Sequence, residues 1–337
     1  LEGVVDLAEK CSVGIDIGGT KCAVILGKGF LPDKPDGFIK DRIEFLTDSK
    51  RGWRLVVDDI LSSVDRILSE NSLSYADILG FGVSCGGPLD SFSGIIKRPP
   101  NLPDWDDVPI TSILKERYGA PAYLQNDANA CAVAEWKFGA GRGYKNIVFM
   151  TFGTGMGAGL ILDGKLYSGT NDMAGEIGHI RLEQDGPEGY GKRGSFEGFC
   201  SGGGIERTAR MMYGGFQQSG GQSSLRQGDF SAKAIAKAAE GGDAFALEVY
   251  RGCARRLGMG IAIIVDIINP QIIIIGSIYE RSHNLLEKEM MKTFKSEALP
   301  ISANACKIVP ARLGDSIGDF AALGVLFANL RGENHES

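Results

Sequence analysis

Asp16 stands at the head of Gly18-Gly19-Thr20-Lys21. Some 130 residues later a second glycine run, Gly153-Thr154-Gly155-Met156-Gly157, follows another apolar stretch. Glycines in such turns let backbone N–H groups come within hydrogen-bonding distance of a phosphate, and the Thr20 hydroxyl adds a donor. Asp16 would hold Mg²⁺ there through water, because Mg²⁺ keeps much of its hydration shell. Two such runs can grip one triphosphate from both sides, which is phosphoryl-transfer rather than redox chemistry. No G-x-x-x-x-G-K-[ST] sequence is present, and residues 158–162 continue the second run as strand where a dinucleotide fingerprint would open a helix. Taken alone, each run fits a plain glycine hairpin equally well.

Between the runs, Asn126-Asp127 precedes a helical stretch. Asp127 is the candidate general base. A helix start favours the ionised carboxylate, so a low pKa is expected, with the proton accepted late as the bond to phosphorus forms in a loose transition state. An N-cap role fits Asn126-Asp127 as well. Gly175-Glu176-Ile177-Gly178-His179 and Glu197 add carboxylates and an imidazole on glycine-flanked backbone, good partners for vicinal sugar hydroxyls. A site that pairs every hydroxyl rejects analogues strongly, since each unpaired buried partner costs ~1–3 kcal/mol. His179 is one of three histidines; an isolated histidine is usually structural, so its role rests on these neighbours.

Periodicity gives the elements that must carry these residues. Residues 12–17 and 22–26 read as a hairpin of strands, with a third strand over 37–45. Apolar residues at 53, 56, 57, 60, 61, 64, 67 and 68 give residues 53–70 a helical period with one buried face. A buried strand follows at 78–84, and three prolines within residues 99–103 stiffen a loop ending at Trp105. A helix at 110–118, a strand at 121–125 and a helix at 128–138 lead to strands at 146–152 and 157–162. The remainder reads as helices over 201–213, 231–239, 243–268, 280–296 and 316–329, with strands at 271–275 and 307–310. Residues 185–194 read as a long loop or flap, and 214–228 as a disordered connection. The β-β-β-α-β-α-β start recurs loosely over 146–275, which implies a duplicated α/β unit. One lobe is expected over 1–126 together with the last helix, 316–330, a larger lobe over 127–315, and a cleft between them.

The whole chain sets bounds on function. Its 337 residues have room for about two domains, and a net charge of −6 gives no attraction to nucleic acid or anionic lipid. Seven scattered cysteines, none spaced C-x-x-C, argue against a disulfide framework or thiolate zinc site and for reduced thiols. Residues 1–10 are too polar for a signal peptide, and the longest apolar run, 258–268, is interrupted by Asp266 and too short to span a bilayer. A soluble cytoplasmic protein is expected.

In their order, these segments resemble the ROK family, sugar kinases and sugar-responsive repressors on the two-lobed actin-like ATPase (ribonuclease H-like) fold with a central cleft. The likeness is carried by Asp16-Ile17-Gly18-Gly19-Thr20-Lys21, Pro100-Asn101-Leu102-Pro103-Asp104-Trp105, Asn126-Asp127-Ala128-Asn129-Ala130, the second glycine run, Gly175-Glu176-Ile177-Gly178-His179 and Phe196-Glu197. Asn269-Pro270, Ile275-Gly276-Ser277 and Leu313-Gly314-Asp315 complete it, so that it spans nearly the whole chain. The resemblance implies ATP with Mg²⁺ and transfer of the γ-phosphoryl group to the 6-hydroxyl of a hexose. Glucose is the favoured acceptor, with an N-acylmannosamine or another hexose as the alternative. By position Asp127 would be the catalytic base, and Asn101, Asn126, Glu176, His179 and Glu197 would bind the sugar beside it. Gly18, Gly19, Thr20, Gly153, Thr154 and Gly155 would hold phosphates, with Gly276 near the adenosine. Lys21 fits a surface charge as well as a phosphate-edge charge.

One departure from the family matters. Its usual zinc site combines the GH histidine with three cysteines of C-x-C-G-x-x-G-C-L-E, whereas Glu188, Tyr190 and Ser195 take those positions here. Tetrahedral zinc wants thiolate or imidazole ligands, and His179 alone is left, so zinc is expected to be absent. Hydrogen bonds or the sugar itself must then order residues 185–197. The competing class is a sugar-sensing repressor. About ten residues precede the first strand, where such proteins carry a helix-turn-helix, and the acidic balance gives no DNA footprint. A regulator without a DNA-binding domain is the weaker variant of that reading, and Asp127 argues against a catalytically idle interaction protein. The expected partners are a sugar and ATP, no nucleic acid, no membrane, and a second copy in a homodimer. The apolar 243–268 helix offers a face for that dimer, although burial within its own lobe suits it better.

Overall fold

Two strands buried on both faces, β1 (Cys11–Ile17) and β2 (Lys21–Lys28), pair antiparallel through the first glycine turn, with Cys11 opposite Lys28 and Ile17 opposite Cys22. In the computed structural model, which describes residues 10–29, 35–226 and 228–330, β3 (Ile39–Leu46) adds antiparallel to β2. The signal-peptide reading falls almost wholly on residues outside those described. The amphipathic α1 (Trp53–Glu70) buries Val56, Val57, Ile60, Val64 and Ile67 and leads into β4 (Ile78–Cys85), parallel to β1. A short hairpin of β5 (Leu89–Asp90) and β6 (Ile95–Ile96), then α2 (Ile110–Tyr118), precede β7 (Ala122–Asn126), parallel to β4. The order of this sheet is β3-β2-β1-β4-β7.

After α3 (Asp127–Lys137) the pattern starts again. β8 (Ile147–Phe152), β9 (Met156–Leu162) and β10 (Lys165–Tyr167) are antiparallel. β11 (Glu188–Gly189) and β12 (Lys192–Arg193) make a small hairpin, followed by α4 (Phe196–Phe199), α5 (Gly202–Gln218), α6 (Ala232–Glu240) and α7 (Ala244–Ile268). β13 (Ile272–Ile275) lies parallel to β8, and α8 (Ile278–Arg281), α9 (His283–Glu297) and α10 (Pro300–Ala305) lead to β14 (Lys307–Pro310), parallel to β13. The second order, β10-β9-β8-β13-β14, repeats the first: three antiparallel strands, then two parallel ones. The expected duplication is present.

Two helices fill the space beside these sheets. The last helix, α11 (Ile317–Leu330), returns to the first sheet, pressed so close that a Cβ on Gly82 of β4 would sit 2.1 Å from the Ala322 carbonyl oxygen. α3 lies against β9 in the same manner, with 2.5 Å between a Cβ on Gly159 and the Ala128 carbonyl. The two helices pack on each other around Phe138, Phe320 and Phe38. The site is built where α3 begins, at the seam of the two sheets.

Two elements differ from the periodicity reading. The helix expected over 280–296 is broken at Ser282 (φ −117°), whose hydroxyl lies 3.3 Å from the Tyr250 phenol in the core. Residues 214–218 continue α5 rather than opening a disordered connection. Beyond them Asp243 holds the Ser223 and Ser224 hydroxyls and the Ser224 amide, and the Tyr213 hydroxyl donates to the Leu225 carbonyl. Such hydrogen bonds to a distant helix start leave no trace in local composition. α7 is largely buried within its own half, against α9, α6 and α5, so its apolar stretch is core. Among the described residues no helix is long and apolar enough to cross a membrane.

Candidate active site

The first glycine turn is held from three directions. The Gly18 amide donates to the Lys21 carbonyl (3.0 Å), Thr47 donates its amide to the Thr20 carbonyl (2.9 Å), and the Thr47 hydroxyl donates to the Gly18 carbonyl (2.6 Å). A phosphate at this turn would therefore meet the amides of Gly19 and Thr20. Gly19 lies flat against Asn101: an added Cβ would be 2.7 Å from both the Cβ and the carbonyl oxygen of that residue. The proline loop that carries Asn101 is anchored by fully buried Trp105 and by amide bonds from Arg98 to the Trp105 carbonyl (2.8 Å) and from Leu102 to the Pro99 carbonyl (2.9 Å). Lys21 turns to Glu44 (2.5 Å), itself paired with Arg42, in a row of surface charges along the sheet edge.

Asp16, Gly18, Gly19, Asn101 and Asp127 line one cavity of about 290 Å³. Asn126 takes the N-cap of α3, its side-chain oxygen accepting from the Ala128 amide at 3.0 Å, while the Asp127 carboxylate accepts from the same amide at 2.7 Å. The low pKa expected for Asp127 is not found. Burial raises it above the ordinary carboxylate value and outweighs the stabilising amide bonds. Asp16 is pushed up to about 7, first by burial and then by the charges of Asp127 and Asp319, with Arg42 and a Ser84 hydrogen bond opposing.

A second cavity of about 310 Å³ is lined by Asn126, Glu176, His179 and Glu197, and shares Gly87 and Pro100 with the first. Consecutive residues thus serve two cavities: Asn126 lines one and Asp127 the other. Residues 176–179 lie against β9 because Gly175 and Gly178 have no side chains. A Cβ on Gly175 (φ +93°) would fall 1.9 Å from the Ala158 carbonyl, and one on Gly178 would fall 2.2 Å from the Met156 carbonyl. The Glu176 carboxyl is raised by burial and by the charges of Asp127 and Glu197, with His179 opposing. Glu197 accepts from the Met156 amide through Oε2 (3.0 Å), which ties it to the second glycine run. Asp172, which also lines this cavity, accepts the Ser91 amide (2.8 Å) and hydroxyl (2.7 Å) on its two oxygens.

The second glycine turn faces elsewhere. Gly153 and Thr154 line a larger cavity of about 960 Å³ with Gly202, Gly203, Glu206, Lys233, Lys237, Ser277 and Arg281. The two turns therefore line different cavities, and a triphosphate gripped by both would have to span them. The second turn meets the cavity of Glu176 and His179 through Gly155, where an added Cβ would lie 2.9 Å from Glu197 Oε2. Gly276, expected near the adenosine, packs on the Phe149 ring and Ala311, and it is the next residue, Ser277, that lines the cavity. Lys233 and Lys237 escaped the sequence reading, although their i, i+4 spacing on an alanine-rich helix puts both on one face.

Residues 185–197, expected as a loop lacking zinc, contain the β11–β12 hairpin and the start of α4. Lys192 Nζ donates to the His179 carbonyl (2.6 Å), Arg181 to the Arg193 carbonyl (2.6 Å), and the Leu182 amide to the Gly194 carbonyl (2.9 Å). Ser195 is buried and caps α4 by accepting from the Gly198 amide at 3.1 Å. With that hydroxyl engaged in the cap, and Glu188 and Tyr190 at the other two positions, the donors near His179 do not suit tetrahedral zinc. Among the described residues no group of three or more His, Cys, Asp or Glu side chains is gathered to hold a metal.

The ROK family model matches residues 12–326. A glucokinase of Halalkalibacterium halodurans is 34% identical over 317 residues, covering 93% of each chain. The structure of a ROK family glucokinase from Streptomyces griseus, in complex with glucose and AMPPNP, superposes with a TM-score of 0.70 at 28% identity, covering 95% of this chain and 98% of that one. A xylose repressor of Bacillus subtilis is 25% identical, covering 90% of this chain and 74% of the repressor.

Proposed function

The chain belongs to the ROK family, and from that premise we propose that it is an ATP-dependent hexose kinase, moving the γ-phosphoryl group of ATP to the 6-hydroxyl of a hexose, with glucose as the favoured acceptor. The observation that carries this reading is the junction at Asn126-Asp127, where a cavity of polar side chains suited to sugar hydroxyls meets a cavity holding two carboxylates and a glycine turn. The likeness to the H. halodurans and S. griseus glucokinases supports the same activity.

In this reading Asn101, Asn126, Glu176, His179 and Glu197 pair with the sugar hydroxyls and leave the 6-hydroxyl facing Asp127. Glu197 keeps Oε1 for the sugar while Oε2 stays on the Met156 amide. The raised pKa of Asp127 makes its ionised form a stronger base than an ordinary carboxylate, suited to accept the hydroxyl proton as the new O–P bond forms. Gly19 and Thr20 hold phosphate from one side and Thr154 and Gly155 from the other, with Lys233, Lys237 and Arg281 around the nucleotide's far end. Asp16 is the group that would hold Mg²⁺ through water, and the ion would neutralise charge developing on the phosphoryl oxygens. We propose that no zinc is needed, because the hydrogen bonds of the β11–β12 hairpin fix residues that the family's metal would otherwise tether.

A coupled ADP-release assay over glucose, mannose, allose, N-acetylglucosamine and N-acetylmannosamine tests the proposal. ADP release with glucose well above the sugar-free rate is expected. Sugar binding by calorimetry without ADP release from any of them would favour the sensing reading, to which the likeness to the xylose repressor gives some support.

A further inference from the structure

We propose that Tyr190 is a specificity-determining residue of the hexose cavity, its ring forming the apolar wall against one face of the bound pyranose. This rests on the reading of that cavity as a sugar site. In the β11–β12 hairpin Glu188 pairs with Arg193 and Gly189 with Lys192, so Tyr190 and Gly191 are the two central turn residues. Both are left-handed, at φ 44° and 73°, as a two-residue hairpin turn of the primed type requires. Glycine or asparagine adopts this backbone with little strain, and a bulky aromatic does not. Little packing rewards the tyrosine, which is 78% exposed. Its one ring contact is roughly perpendicular to His179, with centroids 6.5 Å apart, and the residue lines the cavity. Backbone strain held by a residue so little buried, beside that cavity, marks a function for the side chain.

The hairpin cannot drift from the cavity. Lys192 is bound to the His179 carbonyl, and a Cβ on Gly189 would fall 2.5 Å from the Gly198 amide. The sugar partners Asn126, Glu176, His179 and Glu197 are polar, whereas a pyranose also has an apolar C–H face. Tyr190 is the one Phe, Tyr or Trp among the described residues of this cavity's lining, its ring flat and amphipathic enough to cover that face while its hydroxyl stays in water. The position that holds a zinc-type cysteine in the family pattern therefore holds a contact to the substrate here.

The test compares Tyr190→Phe and Tyr190→Asn with the wild type. Asparagine keeps the left-handed turn and deletes the ring, so loss of the wall is separated from loss of the hairpin. Tyr190→Asn is expected to raise KM for glucose about tenfold, with kcat, KM for ATP and melting temperature near the wild-type values, and Tyr190→Phe is expected to keep KM for glucose within about twofold. An unchanged KM for glucose in Tyr190→Asn, or a joint rise of both KM values with a lower melting temperature, overturns the inference. Should the wild type phosphorylate no hexose, the kinase reading fails by itself. Calorimetric binding of glucose then decides this one: weaker binding to Tyr190→Asn supports it, and equal binding, or none to the wild type, overturns it.

Discussion

Gly18 and Gly153 each use their own amide to close a turn, onto Lys21 at 3.0 Å and Gly155 at 3.1 Å, yet the two turns face different chemistry. The first looks onto Asp16 and Asp127, and the second opens on the cations Lys233, Lys237 and Arg281 together with Glu206 and Glu240. The sheets behind them have the same strand pattern, so the difference lies in what packs beside each sheet. α3 brings its carboxylate to the first turn, and α6 brings its lysines to the second. The frame is duplicated, and its unequal neighbours give the two turns different surroundings, which in the proposed reading suits one to transfer and the other to holding the nucleotide.

Removing the acid end should have the largest effect. Asp127→Ala is expected to lower kcat by roughly 10²–10⁴-fold while calorimetry still registers sugar binding. Turnover near the wild-type rate would leave the first turn with no special role. The glycines themselves sharpen the contrast. Alanine at Gly19 would place its Cβ 2.7 Å from a main-chain carbonyl that cannot swing aside, whereas at Gly153 the nearest atom is the Ser277 hydroxyl at 3.3 Å, which can rotate. Steady-state kinetics should show kcat/KM reduced about tenfold or more for Gly19→Ala and less than about threefold for Gly153→Ala; equal losses would mean that the turns are not differently buttressed.

The smallest effect is electrostatic. The folded-state pKa of Asp16 is about 7 against an ordinary 3.8, and Asp127 is shifted in the same direction. The folded protein then holds more protons than the unfolded chain between those values, so this contribution to stability is present below pH 3.8 and is lost as pH rises through about 7. Calorimetric melting of metal-free protein should fall by a few degrees between about pH 5 and pH 8, and Asp16→Asn should flatten the decline. Parallel curves for the two proteins would remove Asp16 as its source.

Much of this frame is legible in the residues. The period of α1 marks its buried face, and the mainly apolar character of β1, β4, β8 and β13 marks strands covered on both sides. The glycine runs and Asn126-Asp127 locate the site because backbone approach and helix capping are local chemistry. What could not be read depends on distant partners. The raised pKa of Asp127 comes from burial that no local window contains, and the separate cavities of the two turns are lined by residues far apart in the chain, such as Asn101 and Gly318 in one and Lys233 and Arg281 in the other. The β11–β12 hairpin is held by Lys192 reaching the His179 carbonyl, 13 residues away. The break at Ser282 answers to Tyr250, 32 residues earlier in the chain.

Phosphorus NMR of the wild-type protein with ATP, Mg²⁺ and glucose, run beside 6-deoxyglucose, tests the central claim most directly. The account predicts ADP and a hexose 6-phosphate in equal amounts from glucose, and no sugar phosphate from 6-deoxyglucose, which should still compete with glucose. A phosphate on any other hydroxyl, or ATP left intact in the presence of glucose, would contradict it.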